Sequence, residues 1–366
     1  MNRYTDYKDS GIDWLGKIPS HWKVSRLKSL AQVRSGPAGR SLSPRETVAM
    51  PCSEIEPDWL AKITEADYAK YYFESRFKQS TGLASISATD IRGLPIIIPP
   101  LSEQRSIVQY LDLQTHKIDT LIIAKQRLLR LLTEKRCALI THVVTRGLNP
   151  DAPLHYSGID LIGDIPVHWN LIPLKRLLKL IDYGISEPVN IQGKIAVLRV
   201  GDICDGEISY DNIGFVEDVD PQLLLKTNDL VFNRTNSLDQ VGKVGIFRGN
   251  TSFPMSFASS LVRLRCNQLA IPEFLNYQLN SQPMLIRARS EAVVAAEQAT
   301  LNPNLYSYML VPLPPVHEQI RIVEYLNKSV KKNYQLCAAT HQIIELLQEK
   351  RISVISAAVL GKINLS

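Results

Sequence analysis

The densest hydrogen-bonding chemistry in this chain lies in Asp229-Leu230-Val231-Phe232-Asn233-Arg234-Thr235-Asn236-Ser237, with Gly242-Lys243 just beyond. A β-prone run leads into a loop carrying a guanidinium, two amides and two hydroxyls. An arginine can fork to guanine and an asparagine to adenine, while serine, threonine and lysine hold phosphates. A solvated polar loop has the same composition, and both readings stand at this point. Bond-making chemistry is harder to find. There is no G-x-G-x-x-G opening a helix after a strand and no G-K-[ST] phosphate loop, so no nucleotide cradle is evident. Asp6-Tyr7-Lys8 has a nuclease-like Asp-x-Lys spacing, but no upstream acid could share a metal with it. His21 and His168 each precede a tryptophan, and no ligand repeats beside them, so they read as satisfied structural histidines.

The rest of the chain has to position that loop. Its 366 residues, 45% hydrophobic and 21% charged, suffice for two or more cored domains. No apolar run approaches the roughly 18 residues of a membrane span, and Met1–Asp6 has no apolar core of a secretory signal. The five scattered cysteines form no Cys-x-x-Cys pair, which suits reduced thiols in a cytoplasm. Net charge is +6, unevenly spread: residues 1–150 hold 22 Lys/Arg against 15 Asp/Glu, and residues 151–366 hold 20 against 21. Any nucleic-acid contact by the second part must therefore come from a few placed cations.

The chain repeats itself at two spacings. Ser10-Gly11-Ile12-Asp13-Trp14-Leu15-Gly16-Lys17-Ile18-Pro19-Ser20-His21-Trp22 returns 147 residues later as Ser157 to Trp169. Pro99-Pro100-Leu101-Ser102-Glu103-Gln104 returns 215 residues later as Pro314-Pro315-Val316-His317-Glu318-Gln319, and the same spacing joins Glu134-Lys135-Arg136 to Glu349-Lys350-Arg351. The spacings differ by 68, so the first copy lacks 68 internal residues that the second keeps. Where the second copy runs from about Gly184 to Cys266, the first has a short basic bridge with Arg40 and Arg45.

After each Pro-Pro a long uninterrupted helical pattern is expected, with Ser102 as N-cap of the first. Steps of three and four give a seam through Leu111, Ile118, Ile122, Leu129, Leu132 and Leu139, and in the same register through Leu326, Val330, Ile344, Leu347 and Val354. Equal length and register suit two helices pairing as a coiled coil; the alternative is two amphipathic helices, each packed on its own domain. Gly147 and Gly361 stop them. Between about 170 and 313, short runs such as Ile195–Val200, Leu230–Phe232, Val244–Phe247 and Leu261–Leu264 predict strands, and Ile271 to Arg289 reads as a helix.

These doubled motifs, with Leu198-Arg199-Val200-Gly201-Asp202-Ile203 and Asn233-Arg234-Thr235-Asn236-Ser237 before Val241-Gly242-Lys243, resemble the specificity subunit of type I restriction–modification enzymes. The resemblance implies an α+β chain with a pseudo-twofold internal repeat. Two target-recognition domains, the first shortened, are separated by two long antiparallel helices. The expected division is a repeat segment at 1–22, a shortened recognition domain at 23–98, a long helix at 99–147, a linker with the second repeat segment at 148–169, a complete recognition domain at 170–313 and a second long helix at 314–366. The implied function is non-catalytic: reading double-stranded DNA and carrying two methyltransferase subunits, with motor-nuclease subunits joining for cleavage, in a bacterial or archaeal cytoplasm. The chain would need no cofactor, S-adenosylmethionine, Mg and ATP belonging to the partners. The DNA-contacting candidates are Arg199, Asn233, Arg234, Thr235, Asn236, Ser237 and Lys243, with Arg40 and Arg45 holding phosphates. The alternative is a decayed or regulatory subunit that binds methyltransferases without reading a full site.

Overall fold

A computed structural model describes residues 4–33, 48–51, 53–76, 78–80, 83–211, 213–295 and 298–364. Two compact units emerge, Met1–Arg130 with Cys337–Ser366, and Leu131–Leu336, so each long helix contributes to both. Among the described residues no helix is long and apolar enough to cross a membrane.

The same elements recur in the two units at the two spacings. In the first, Tyr7–Asp9 pairs with Lys17–Pro19, Lys23–Arg26 with Pro95–Ile98, and Ala31–Val33 with Val48–Pro51. In the second, Leu154–Tyr156 pairs with Asp164–Pro166, Asn170–Pro173 with Leu310–Leu313, and Leu178–Tyr183 with Leu261–Cys266. The register slips after Ala31 in one ladder and after Leu178 in the other, which are equivalent positions. The helices Pro57–Glu65 and Asp67–Glu74 recur as Pro272–Leu279 and Gln282–Ser290. The single helix expected over 271–289 is thus two. Pro283 sits in the first turn of the second helix, where a missing N–H costs nothing, and would break a continuous helix.

The long helices are Leu101–Arg146 and Val316–Val359. The first begins one residue before Ser102, which therefore lies inside the first turn and is not its N-cap. Gly147 at φ +75° and Gly361 at φ +67° take the left-handed conformation beyond the two ends, where a Cβ would strain the turn. Seam residues Leu111, Ile118, Leu326 and Ile344 are buried, and Ile122, Leu129, Leu132, Leu139, Val330, Leu347 and Val354 are partly so. Within the first unit the helical segments run antiparallel: Asp119 pairs with Arg351 (2.9 Å), while Val108 and Leu111 share a core with Ile355 and Val359. Within the second, Asn333 donates to the Leu132 carbonyl (3.0 Å), and Val143 and Val144 share a core with Ile322 and Leu326.

Each unit builds its helix-facing core from equivalent residues. Trp22, Trp59, Ile107, Leu111 and Val359 cluster in the first, and Trp169, Phe274, Ile322, Leu326 and Val144 in the second. The Glu-Gln pair after each Pro-Pro closes that core by hydrogen bonds. Glu103 accepts from His21 Nε2 (2.7 Å), Trp22 Nε1 (3.0 Å) and the Tyr4 hydroxyl (2.9 Å). Glu318 accepts from His168 Nε2 (2.8 Å) and Trp169 Nε1 (3.1 Å). Gln104 is fully buried and uses its whole amide: it accepts from Glu56 N and donates to the Glu54 and Pro99 carbonyls. Gln319 does the same with Ile271 N and the Leu269 and Pro314 carbonyls. The repeated motifs are therefore the frame of each unit, closed by matching hydrogen bonds.

The second unit alone carries a six-stranded sheet among the described residues. Its order is Leu178–Tyr183, Leu261–Cys266, Leu230–Asn233, Val244–Ile246, Glu207–Ile208 and Ile203–Cys204. Two arginines, Arg263 buried and Arg265 partly exposed, tie it together. Arg263, 1% exposed, is held by Asp182 and by the Leu224 and Gln222 carbonyls (2.9 and 2.8 Å). Arg265 forks to Asp229, itself 1% exposed, at 2.6 Å on each oxygen. These bonds offset a desolvation cost of several kcal/mol per ion.

Candidate nucleic-acid interface

Strand Leu230–Asn233 is buried along its whole length in the middle of the six-stranded sheet, and this fixes where the polar loop emerges. Asp229, clamped by Arg265 and accepting from Lys226 N (2.8 Å), pins the strand's start. Asn233 pins its end. Its N–H donates to the Lys243 carbonyl and its carbonyl accepts from Gly242 N, each at 2.8 Å, while its side chain reaches the Val200 carbonyl at 3.4 Å. Gly242 has φ +85°, and a Cβ there would meet the Ala288 methyl at 3.0 Å, so glycine closes this turn.

Asn233 thereby draws together three stretches distant in sequence: Arg199-Val200, Arg234 to Ser237, and Gly242-Lys243. At 1% exposure it is withdrawn from solvent, so its amide serves loop closure and cannot reach a base edge without opening the loop. The others differ. Arg199 is exposed, and its N–H donates to Asp202 (2.7 Å), whose carboxyl is pushed up by burial and drawn back by that bond. Arg234, partly exposed, anchors its N–H on the Ser260 carbonyl (3.0 Å) and places its guanidinium 5.3 Å from the half-exposed Tyr183 ring. Its only other side-chain contact among the described residues is a long 3.4 Å bond to the Ser259 carbonyl, and its buried Nε has no partner. This guanidinium is oriented but not consumed. Asn236 caps Ser237 N (2.8 Å), Lys243 Nζ reaches Gln240 (2.8 Å), and the hydroxyls of Thr235 and Thr300 meet at 3.3 Å. Arg40 and Arg45 lie outside the described residues.

Sequence reasoning passed over a second element of the same site. Thr235-Asn236 pairs with Gln298–Thr300, which pairs in turn with Val293–Ala295, making a three-stranded sheet beside Arg234. Its signal in the sequence was a short β-branched run, Val293-Val294, eclipsed by the helical pattern before it.

Arginine, threonine and amide groups gathered at one end of a rigid sheet suit hydrogen-bonding to base edges and phosphates. Among the described residues no group of three or more His, Cys, Asp and Glu could hold a metal ion. Residues 51–129 match the family model described as a type I restriction modification DNA specificity domain. The chain is 31% identical over 173 residues to a putative type I restriction enzyme MjaX specificity subunit of Methanocaldococcus jannaschii, covering 45% of this chain and 40% of that one. It is 25% identical over 260 residues to the type I restriction enzyme EcoBI specificity subunit of Escherichia coli, covering 67% and 53%. The chain thus spans about half the length of the curated relatives it matches. Its fold is similar to a solved chain from a type I R-M system studied for complex assembly and conformational transition (TM-score 0.72, 15% identity, 94% of this chain and 99% of that one). It also resembles the HsdS subunit from Thermoanaerobacter tengcongensis (TM-score 0.53, 16% identity, 94% and 98%). In its matched segments the chain is thus similar to type I restriction enzyme specificity subunits, and its fold is similar to that of solved chains from such systems.

Proposed function

We propose that this protein is a non-catalytic DNA-recognition and scaffold subunit, reading double-stranded DNA with its second copy and presenting its long helices to two methyltransferase subunits. Motor-nuclease subunits complete the assembly in the cytoplasm. S-adenosylmethionine, Mg and ATP then belong to those partners. The observation that carries this reading is the cluster of Arg199, Arg234 and Lys243 around the buried Asn233, with Arg234 oriented yet barely engaged. The duplicated frame supports the two-partner part, since equivalent surfaces in one chain suit two copies of one partner.

The first copy, in this proposal, is shortened and contributes phosphate contacts through Arg40 and Arg45. Its sequence argues for a coherent domain rather than decay. At the positions of Arg263 and Arg265 it has Val48 and Met50, Ser35 stands where the second copy has Asp182, and the partners Gln222, Leu224 and Asp229 fall in the stretch it lacks. A random deletion would leave buried charges unpaired; here charges and partners are absent together. The test is to map adenine methylation genome-wide in a strain expressing the chain with its methyltransferase. One well-defined motif that disappears on deleting this gene is expected. Methylation unchanged without it would overturn the reading.

A further inference from the structure

The strand Val293–Ala295 is exposed along its whole length, with Val293 72% and Val294 57% exposed. It is the outer strand of the three-stranded sheet, bonded only to Gln298–Thr300 among the described residues. A bare sheet edge carrying apolar side chains is a liability that folded proteins normally blunt or cover. The pairing shows what adjoins it. Val293 lies opposite Thr300, and Thr300 opposite Thr235, so the three β-branched residues form one row across the sheet. Directly opposed residues share a face, and the 3.3 Å contact between the two threonine hydroxyls agrees. Those hydroxyls satisfy each other, so the row offers a partner apolar surface more than donors. Thr235 ends the row on its inner side, and Arg234 directly precedes it in the chain.

From this row we infer that Val293, with Thr300 and Thr235, reads the C5-methyl group of a thymine in the major groove, beside the base contacted by Arg234. The inference rests on the DNA-reading function proposed above and extends it to a chemical feature of the site. The thymine methyl is the one apolar group on a major-groove edge, and β-branched side chains complement it. Continuity with Arg234 favours the groove over a protein partner. The first copy keeps the equivalent hairpin, Lys78–Ser80 with Leu83–Ser85, but Lys78 stands where the second has Val293, and no counterpart of Thr235 exists there. Methyl reading is therefore confined to the second copy.

The experiment selects a motif from randomised duplexes with the full chain, then replaces each thymine of that motif by deoxyuridine, which removes the methyl alone. One thymine should show an affinity loss of about fourfold, the size of one buried carbon. Val293→Ser should bind thymine and deoxyuridine equally at that position and leave the Arg234→Ala-sensitive position unchanged. Val293 is mostly exposed, so the substitution leaves the fold intact, and a thermal melt checks this. Discrimination that persists in Val293→Ser, or thymines that are all replaceable without loss, would overturn the inference while leaving DNA reading in place. A variant with an unaltered motif but weakened binding to the methyltransferase would also overturn it, assigning the edge to protein contact. If the full chain enriches no motif at all, the DNA-reading function fails, and the inference with it.

Discussion

The two copies share a frame and differ in what the frame carries. In both, Glu and Gln after the Pro-Pro step hold the His-Trp segment and the loop before the next helix through matching bonds. The equivalent arginines Arg136 and Arg351 reach equivalent positions of the facing helix, Tyr334 and Asp119. Their second partners differ: Asp205 (2.8 Å) comes from the stretch only the second copy has, and Glu65 (3.1 Å) from a helix end both copies keep. The frame tolerates a difference of 68 residues because the joints lie outside it. The interior of the six-stranded sheet does not, and its ion pairs occur as complete sets or not at all.

The largest expected effect tests that last point. Asp182→Ala leaves the buried Arg263 with carbonyl partners only and should cost about 3–5 kcal/mol in urea unfolding. Adding Arg263→Val, the residue type of the first copy, should recover a large part of it. A single mutant within about 1 kcal/mol of wild type would show that the ion pair does not hold the sheet.

A smaller effect tests the shared frame. Gln104→Ala and Gln319→Ala each orphan one N–H and two carbonyls in a buried joint. Each should destabilise by about 1–3 kcal/mol, and by similar amounts. Clearly unequal losses would break the equivalence of the two copies.

How much of this could be read from the chain follows the same division. The duplication, the stops at Gly147 and Gly361 and the 3-4 pattern are local or self-similar signals, and they predict the long helices well. The role of His21 and His168 was half legible. No ligand repeats beside them, but one does repeat elsewhere: Glu103 lies 82 residues away and Glu318 lies 150, a difference equal to the 68-residue gap. Co-repetition at two spacings was the available signal. The burial of Asn233 was not legible, because an asparagine that closes a loop and one that reads a base look alike in sequence. Nor was the Val293 hairpin, whose meaning depends on a strand pairing nearly 60 residues away in the chain.

At the site, Arg234→Ala should cost about 1–3 kcal/mol of DNA affinity and relax specificity at one position of the motif. Equal weakening on every sequence would reassign Arg234 to a phosphate.

The smallest effect belongs to the first copy and decides whether the comparison is one of kind. Phosphate contacts lose affinity steeply with salt yet carry no sequence information, because every base pair presents the same backbone. If Arg40 and Arg45 hold phosphates, Arg40→Ala with Arg45→Ala should lower the slope of log affinity against log salt by about 2. The selected motif should stay unchanged, with base discrimination on one side of the footprint. Two discriminated halves, one of them lost in this double mutant, would mean that the shortened copy reads bases after all. A palindromic footprint would instead mean that two chains bind, each through its complete second copy. Fluorescence titration across a salt series, paired with footprinting on the selected duplex, separates the three outcomes.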